Sequence, residues 1–211
     1  KVLCITFLSF IMVSCSSLSW MKFWGDEEEV ELPAVLEEIN EEITFKELWK
    51  AKTNNNKPLG RVLPSVNGNK VFHISPEGEI FCFDLNTGKK VWTRESNDSV
   101  SSGIETAFRK IFYATLDGEV VALNLEDGEE LWRAQSTSEI LSPTVTDGNI
   151  VVAQASDGSI TGFDLNTGEK KWVHQASVPN LSLRGTSSPL LAQGFIFTGF
   201  ANGSIAMIYP E

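Results

Sequence analysis

The sequence predicts an all-β protein, a partial β-propeller of four-stranded antiparallel blades with a repeat of roughly forty residues. Three observations carry this expectation. Trp92, Trp132 and Trp172 are forty residues apart, as are Gly78, Gly118 and Gly158, and Gly88, Gly128 and Gly168, with no slip of phase. Short apolar runs at 111–114, 120–125 and 150–153 alternate with glycine-bearing turns. The runs are apolar at consecutive positions, as in strands covered on both faces, so the small sheets must stack face to face. Composition agrees: 42% hydrophobic residues suffice for a core, and three cysteines are too few for a disulfide-built scaffold.

In chain order, the first element is an address. Residues 2–13 are an almost unbroken apolar run behind Lys1, predicting a signal peptide over 1–14. The run is too short for a membrane-crossing helix, which needs about 20 residues. It ends in Met12-Val13-Ser14-Cys15, a small residue ahead of a cysteine, and this resembles the lipobox of bacterial lipoproteins. The resemblance implies that Cys15 becomes the first mature residue and carries acyl chains; several chains on one residue anchor a protein without a spanning helix. An ordinary signal peptide with an incidental cysteine is the plainer reading. Ser16 in place of Asp after Cys15 is similar to Gram-negative lipoproteins sorted to the outer membrane, which implies a protein on that membrane facing the periplasm. With Cys4 removed and Cys15 acylated, Cys82 remains as the free thiol.

The second element is acidic. The formal net charge is −11, from 28 Asp plus Glu against 17 Lys plus Arg, and residues 26–42 hold nine carboxylates and no base. A run of like charge repels itself and extends, so residues 15–44 are expected to be a lipidated N-terminus and solvated tether, with the propeller over 45–211. Nucleic-acid affinity rests on Lys and Arg displacing counterions, so this balance argues against a nucleic-acid partner.

The repeat itself follows. Glu77-Gly78, Asp117-Gly118, Asp157-Gly158 and Asn202-Gly203 lie between apolar runs and are expected to be two-residue hairpin tips with positive φ. A second turn, at Asn86-Thr87-Gly88, Glu126-Asp127-Gly128 and Asn166-Thr167-Gly168, leads into the tryptophan strand. Short strands near 64–66, 144–146 and 189–191 bring the count to four per repeat.

The segment Cys82-Phe83-Asp84-Leu85-Asn86-Thr87-Gly88-Lys89-Lys90-Val91-Trp92 and its echoes resemble the tryptophan-docking motif of quinoprotein-like propellers. The resemblance implies that Trp92, Trp132 and Trp172 pack between neighbouring blades. The motif's small residue is Cys82, Ala122 or Gly162, but Met207 departs from it in the started fourth copy. Trp49 has no turn motif ahead of it and resembles the isolated outer strand that closes the last blade of such a ring. The family ring is eight-bladed. Three copies, a started fourth and one orphan strand make less than half of it, so an incomplete ring, a fragment, is expected.

Function is best sought where the copies differ. Gly158 to Gly203 is five residues longer than the period, and the extra length falls in Val178-Pro179-Asn180-Leu181-Ser182-Leu183-Arg184-Gly185. This segment resembles a surface loop of the BamB family, outer-membrane lipoproteins of the β-barrel assembly machinery. The resemblance implies docking on the periplasmic POTRA domains of BamA, with Leu181 and Leu183 as apolar anchors and Arg184 as the charged one. It further implies a noncovalent scaffold in the assembly and insertion of outer-membrane β-barrel proteins. Its partners would be BamA, the other Bam subunits and unfolded barrel clients, with no cofactor and no catalytic residues. The plain alternative is an ordinary connection whose leucines tuck under a blade.

Two other readings are a fragment of a pyrroloquinoline-quinone-dependent dehydrogenase and a different periplasmic binding propeller. Such dehydrogenases bind the quinone with calcium and stack a vicinal cysteine pair on it; the three cysteines here are Cys4, Cys15 and Cys82. His73 and His174 fall in predicted strands with no nucleophile or carboxylate at a suggestive spacing. Asp84-Leu85-Asn86-Thr87-Gly88 is similar to part of a calcium loop but lacks the remaining ligands and the closing Glu, and its recurrence fits a turn. No enzyme is therefore expected.

Overall fold

The computed structural model describes residues 34, 42–53, 62–181 and 183–210. The signal peptide expected over 1–14, Cys15, and nearly all of the tether expected over 15–44 lie outside the described residues. The chain divides into two units, Lys1–Phe45 and Lys46–Glu211. Of the first, only Ala34 and residues 42–45 are described.

The second unit is a series of antiparallel meanders. The first sheet is β1 (Ser65–Asn67), β2 (Lys70–Ile74), β3 (Glu79–Asp84) and β4 (Lys90–Glu95), hydrogen-bonded in that order. The second repeats it with β5 (Glu105–Ala107), β6 (Lys110–Ala114), β7 (Glu119–Asn124) and β8 (Glu130–Gln135). The third is β9 (Val145–Thr146), β10 (Ile150–Gln154), β11 (Ser159–Asp164) and β12 (Lys170–Gln175). The last has three strands, β13 (Leu190–Ala192), β14 (Phe195–Gly199) and β15 (Ile205–Ile208). Among the described residues there is no helix.

The consecutive apolar positions have the expected cause. Val120, Val121, Ala122 and Leu123 of β7 are all buried, because both faces of the strand are covered. One face meets the first sheet, in a cluster of Phe72, Ile74, Ile80 and Cys82 with Ile111, Tyr113, Val121 and Leu123. The other meets the third, where Phe112, Val120, Ala122 and Trp132 pack on Val151, Ala153 and Phe163. Val152 and Ile160 meet Ile196 of the last sheet in the same way. Each such side chain contributes about 1.5–3 kcal/mol on burial. Stacking the sheets is therefore what holds each one.

The hairpin tips differ from expectation. Gly78 N–H donates to Ser75 O (3.0 Å) and Ser75 N–H to Glu79 O (2.8 Å), closing a longer reverse turn. Gly78 is left-handed (φ 87°), whereas Glu77, Asp117, Asp157 and Asn202 have no positive φ. The third and fourth tips close in the same way, Gly158 N–H on Ala155 O (3.1 Å) and Gly203 N–H on Phe200 O (3.0 Å), so backbone bonds suffice for the longer turn and a side chain only adds to it in the first two. Ser75 Oγ accepts from Glu79 N–H, and Thr115 Oγ1 from Glu119 N–H, both at 3.1 Å. Two-residue pairs with positive φ at both positions are instead Phe108-Arg109 (φ 48° and 60°), joining Ala107 to its ladder partner Lys110, and Gln193-Gly194 (52° and 79°), joining Ala192 to Phe195.

The outer strands share one irregularity. Register shifts between Cys82 and Phe83, Ala122 and Leu123, and Gly162 and Phe163, leaving Val91, Leu131 and Lys171 as bulged residues. Such a bulge twists an edge strand and blunts it against pairing with another chain.

Candidate docking surface

Three segments lead from an outer strand to the next inner strand: 96–104, 136–144 and 176–189. The first two are tied to the sheets they lead into. Val100 bridges to Thr115 and Ile140 to Ala155, and Val100 N–H donates to Pro76 O at 2.9 Å. The third carries the extra five residues. It starts tied, with Ala176 N–H on Gly158 O (3.1 Å) and Asn202 Nδ2 on Ser177 O (3.0 Å), and Val178 packs over Gly158. It then departs from the tip. Leu181 and Leu183 are 92% and 94% exposed, so neither leucine tucks under a blade. Ser182 lies outside the described residues.

Arg184 follows immediately and is held. Its Nη2 donates to Glu139 Oε2 at 2.8 Å and its Nε to Oε1 at 3.4 Å, a side-on pairing that raises the guanidinium pKa further. Glu139 sits in the preceding connection, where its carbonyl accepts from Ser156 N–H at 2.9 Å. A groove of about 540 Å³ lies beside the pair, lined by Glu139, Ala155, Leu183, Arg184, Phe200 and Ile205 among others. A second groove of similar size, between Leu63, Leu141 and Thr186, also has Arg184 in its wall. Two exposed leucines, one fixed cation and an adjoining recess are chemically suited to apolar groups and hydrogen-bond acceptors.

Sequence reading missed Glu139. It is an isolated carboxylate 45 positions before Arg184 in a repeat of forty, so no spacing argument connects the two. A second unforeseen cluster ties the first two sheets together. Arg133 meets Asp98 (3.0 Å), Glu119 (2.6 Å) and Glu130 (2.9 Å), and Tyr113 OH donates to Asp98 Oδ2 at 2.6 Å. Burial raises the Asp98 pKa, but the hydrogen bonds from Arg133 and Tyr113 outweigh it and leave the carboxyl below its ordinary value.

The four tryptophans among the described residues occupy related places. A Cβ added to Gly168 would lie 2.6 Å from Trp132 Cε3, and one on Gly128 would lie 2.8 Å from Trp92 Cζ3. Each ring therefore covers the second turn of the following sheet, which only glycine admits. Trp132 Nε1 donates to Leu165 O at 3.0 Å, and Trp49 Nε1 to Leu85 O at 2.7 Å, with the Trp49 ring over Gly88. Trp49 differs from expectation in one respect: residues 42–53 form no strand, since no described strand pairs with them. Trp172 lies against Gly162, its cross-strand partner, and its buried Nε1 has no hydrogen-bond partner. Cys82 and Ala122 face Trp92 and Trp132 in the same cross-strand position. Met207, which takes that place in the last sheet, is ladder partner to Phe197 and mostly exposed.

The remaining candidates are local. His73, in β2, stacks on Phe81 at 6.3 Å, and burial lowers its pKa. His174 is on the exposed outer strand β12. Burial pushes the Cys82 thiol up to about 11. Asp84 Oδ1 accepts from Asn86 N, Thr87 N and Thr87 Oγ1 within 3.1 Å, so the turn itself uses this oxygen, and Asp164 repeats the arrangement.

Comparison with known proteins identifies the family. The sequence profile of the family described as outer membrane protein assembly factor BamB matches residues 42–105 and 76–211. The outer membrane protein assembly factor BamB of Vibrio cholerae serotype O1 is 33% identical over 207 residues, covering 95% of this chain and 54% of that protein. The protein of that name from Bordetella pertussis is 28% identical over 93 residues, 44% of this chain and 24% of the relative. The chain thus spans about half the length of the Vibrio protein. In structure it is similar to BamB from Moraxella catarrhalis, with a TM-score of 0.66 at 24% identity over 70% of this chain and 45% of the other. The computationally designed Ika4 protein matches at 0.59 and 19% identity, over 79% of this chain and 99% of its own, a likeness of fold alone.

Proposed function

Because the chain belongs to the outer membrane protein assembly factor BamB family, we propose that it is a noncovalent scaffold in the assembly and insertion of β-barrel proteins into the outer membrane. In this reading acyl chains on Cys15 hold it to that membrane, the acidic segment over 15–44 spaces it from the lipid, and the propeller over 45–211 faces the periplasm. Leu181, Leu183 and Arg184 dock on the POTRA domains of BamA, within a complex that includes the other Bam subunits and receives unfolded barrel clients. The chemistry asked of the chain is binding, with no catalytic step and no cofactor. A quinone-dependent dehydrogenase is less well supported, since the relatives that match are named as assembly factors.

The observation that carries the reading is the pair of leucines exposed beyond 90% on the one connection that departs from the repeat. Solvent-facing apolar side chains contribute nothing to the fold there, whereas burying each against a partner is worth about 1.5–3 kcal/mol. The test is retention of purified BamA POTRA domains by the protein. Leu183→Ala and Arg184→Ala are expected to weaken retention at least tenfold while thermal unfolding stays unchanged. Undiminished retention by both variants would refute the docking role.

A further inference from the structure

We infer that Glu139 is a positioning residue for the docking loop: it grips one edge of the Arg184 guanidinium and so sets how Leu181 and Leu183 are presented. The inference rests on the docking reading above and adds a residue to it.

The geometry is asymmetric. Glu139 stands on firm backbone, with its carbonyl bonded to Ser156 N–H and the neighbouring Ile140 bridged to Ala155 and accepting from Ser101 Oγ. The docking segment has little of its own. Among the described residues of 178–186, Arg184 makes the only hydrogen bonds, and both go to Glu139. Thr186 Oγ1 is buried with no partner, and nothing packs within 4 Å of where a Gly185 Cβ would be. The position of the loop therefore depends on one ion pair to a neighbouring connection.

The pairing also leaves the cation usable. A guanidinium has five N–H donors. Glu139 engages Nε and Nη2 along the side of the fork, so the Nη1 end remains for an acceptor on the partner. Arg184 is half-exposed and Glu139 less so, which places the carboxylate behind the cation. Binding would then need no exchange of partners, only the approach of a surface carrying carbonyl or carboxylate oxygens beside a cleft for the leucines.

The test is a double-mutant cycle on the full chain with purified BamA POTRA domains as the probe. Glu139→Ala is expected to weaken binding by about three- to tenfold, the cost of ordering one or two side chains on association. Glu139→Gln, whose amide oxygen still accepts, should recover part of the loss. In the Arg184→Ala background Glu139→Ala should change nothing, because the residue acts through Arg184. Thermal unfolding of the single variants separates these effects from misfolding. If Leu183→Ala and Arg184→Ala abolish binding while Glu139→Ala binds as well as the parent or better, the positioning role is overturned and docking stands. If none of the three matters, the docking reading itself is wrong and the inference goes with it.

Discussion

Trp132→Ala tests whether the indoles fasten the sheets to one another. Trp132 is 7% exposed, its ring 6.0 Å from that of Phe112 and lying over Gly168 in the next sheet. Truncating a buried aromatic costs about 3–5 kcal/mol, transfer and cavity terms together. Trp132→Phe keeps most of the ring but leaves the Leu165 carbonyl without its donor, about 1 kcal/mol. Trp172→Phe is the internal control, since that indole nitrogen has no partner to lose. Urea unfolding followed by far-UV circular dichroism should show the Trp132→Ala midpoint falling by about 2 M, taking a slope near 2 kcal/mol per molar. A loss below about 1 kcal/mol would refute the fastening role, as would equal costs for the two phenylalanine variants.

Three further outcomes are expected. The Asp98 carboxyl is held below its ordinary value, so the folded state binds its proton less readily than the unfolded chain. Its contribution is complete above the unfolded pKa near 4 and fades as pH falls through the lower folded value; Asp98→Asn should flatten stability measured across that acid range. Cys82, buried and pushed up to about 11, should resist a thiol reagent at neutral pH in a Cys4→Ser, Cys15→Ser background and react at once in denaturant; rapid labelling of the folded protein would contradict its burial. Mass spectrometry of the mature protein should find acylated Cys15 at the N-terminus, and Cys15→Ser should release the protein from membranes; an unmodified start elsewhere would remove the anchor.

The repeat was legible because its residues answer to backbone needs that recur. A ring lying on a turn requires glycine at 88, 128 and 168, and the cross-strand neighbour of each tryptophan is small at 82, 122 and 162. Legibility failed where tertiary contact overrides local preference. Phe108-Arg109 carries no turn chemistry, yet both residues are left-handed, and the Phe108 ring rests where a Gly148 side chain would stand. The tips were misread for the opposite reason: Asp-Gly is a sound local signal, but only its glycine is left-handed, at the end of a longer turn that backbone bonds close at all four tips. Of the proposed docking surface, the segment holding Leu181, Leu183 and Arg184 was readable as an interruption of the period, and the choice of these three as anchors rested on the family resemblance. Glu139 was not, since a lone carboxylate in a connection has no local signature and acquires meaning only from the side chain folded against it.

The three connections differ in how firmly each is tied. Each must pass close over the tip glycine of its own sheet, and the residue at the equivalent place is Asp98, Ser138 or Val178. Asp98 joins a charge cluster, Ser138 shares a hydrogen bond with Ser156, and Val178 makes only apolar contact. After Asp98 and Ser138 the chain bridges within two residues to a turn of the following sheet, Val100 to Thr115 and Ile140 to Ala155. After Val178 no such bridge occurs among the described residues. Five extra residues, each spanning at most about 3.6 Å, supply enough chain to leave the tip and return at Ser187, whose Oγ accepts from Gly199 N–H. Loop closure grows only slowly in cost with length, about 0.6 kcal/mol per doubling. The insertion therefore releases two leucines from the sheet at little expense in stability, and the Glu139–Arg184 pair restores the order that the lost bridge would have imposed.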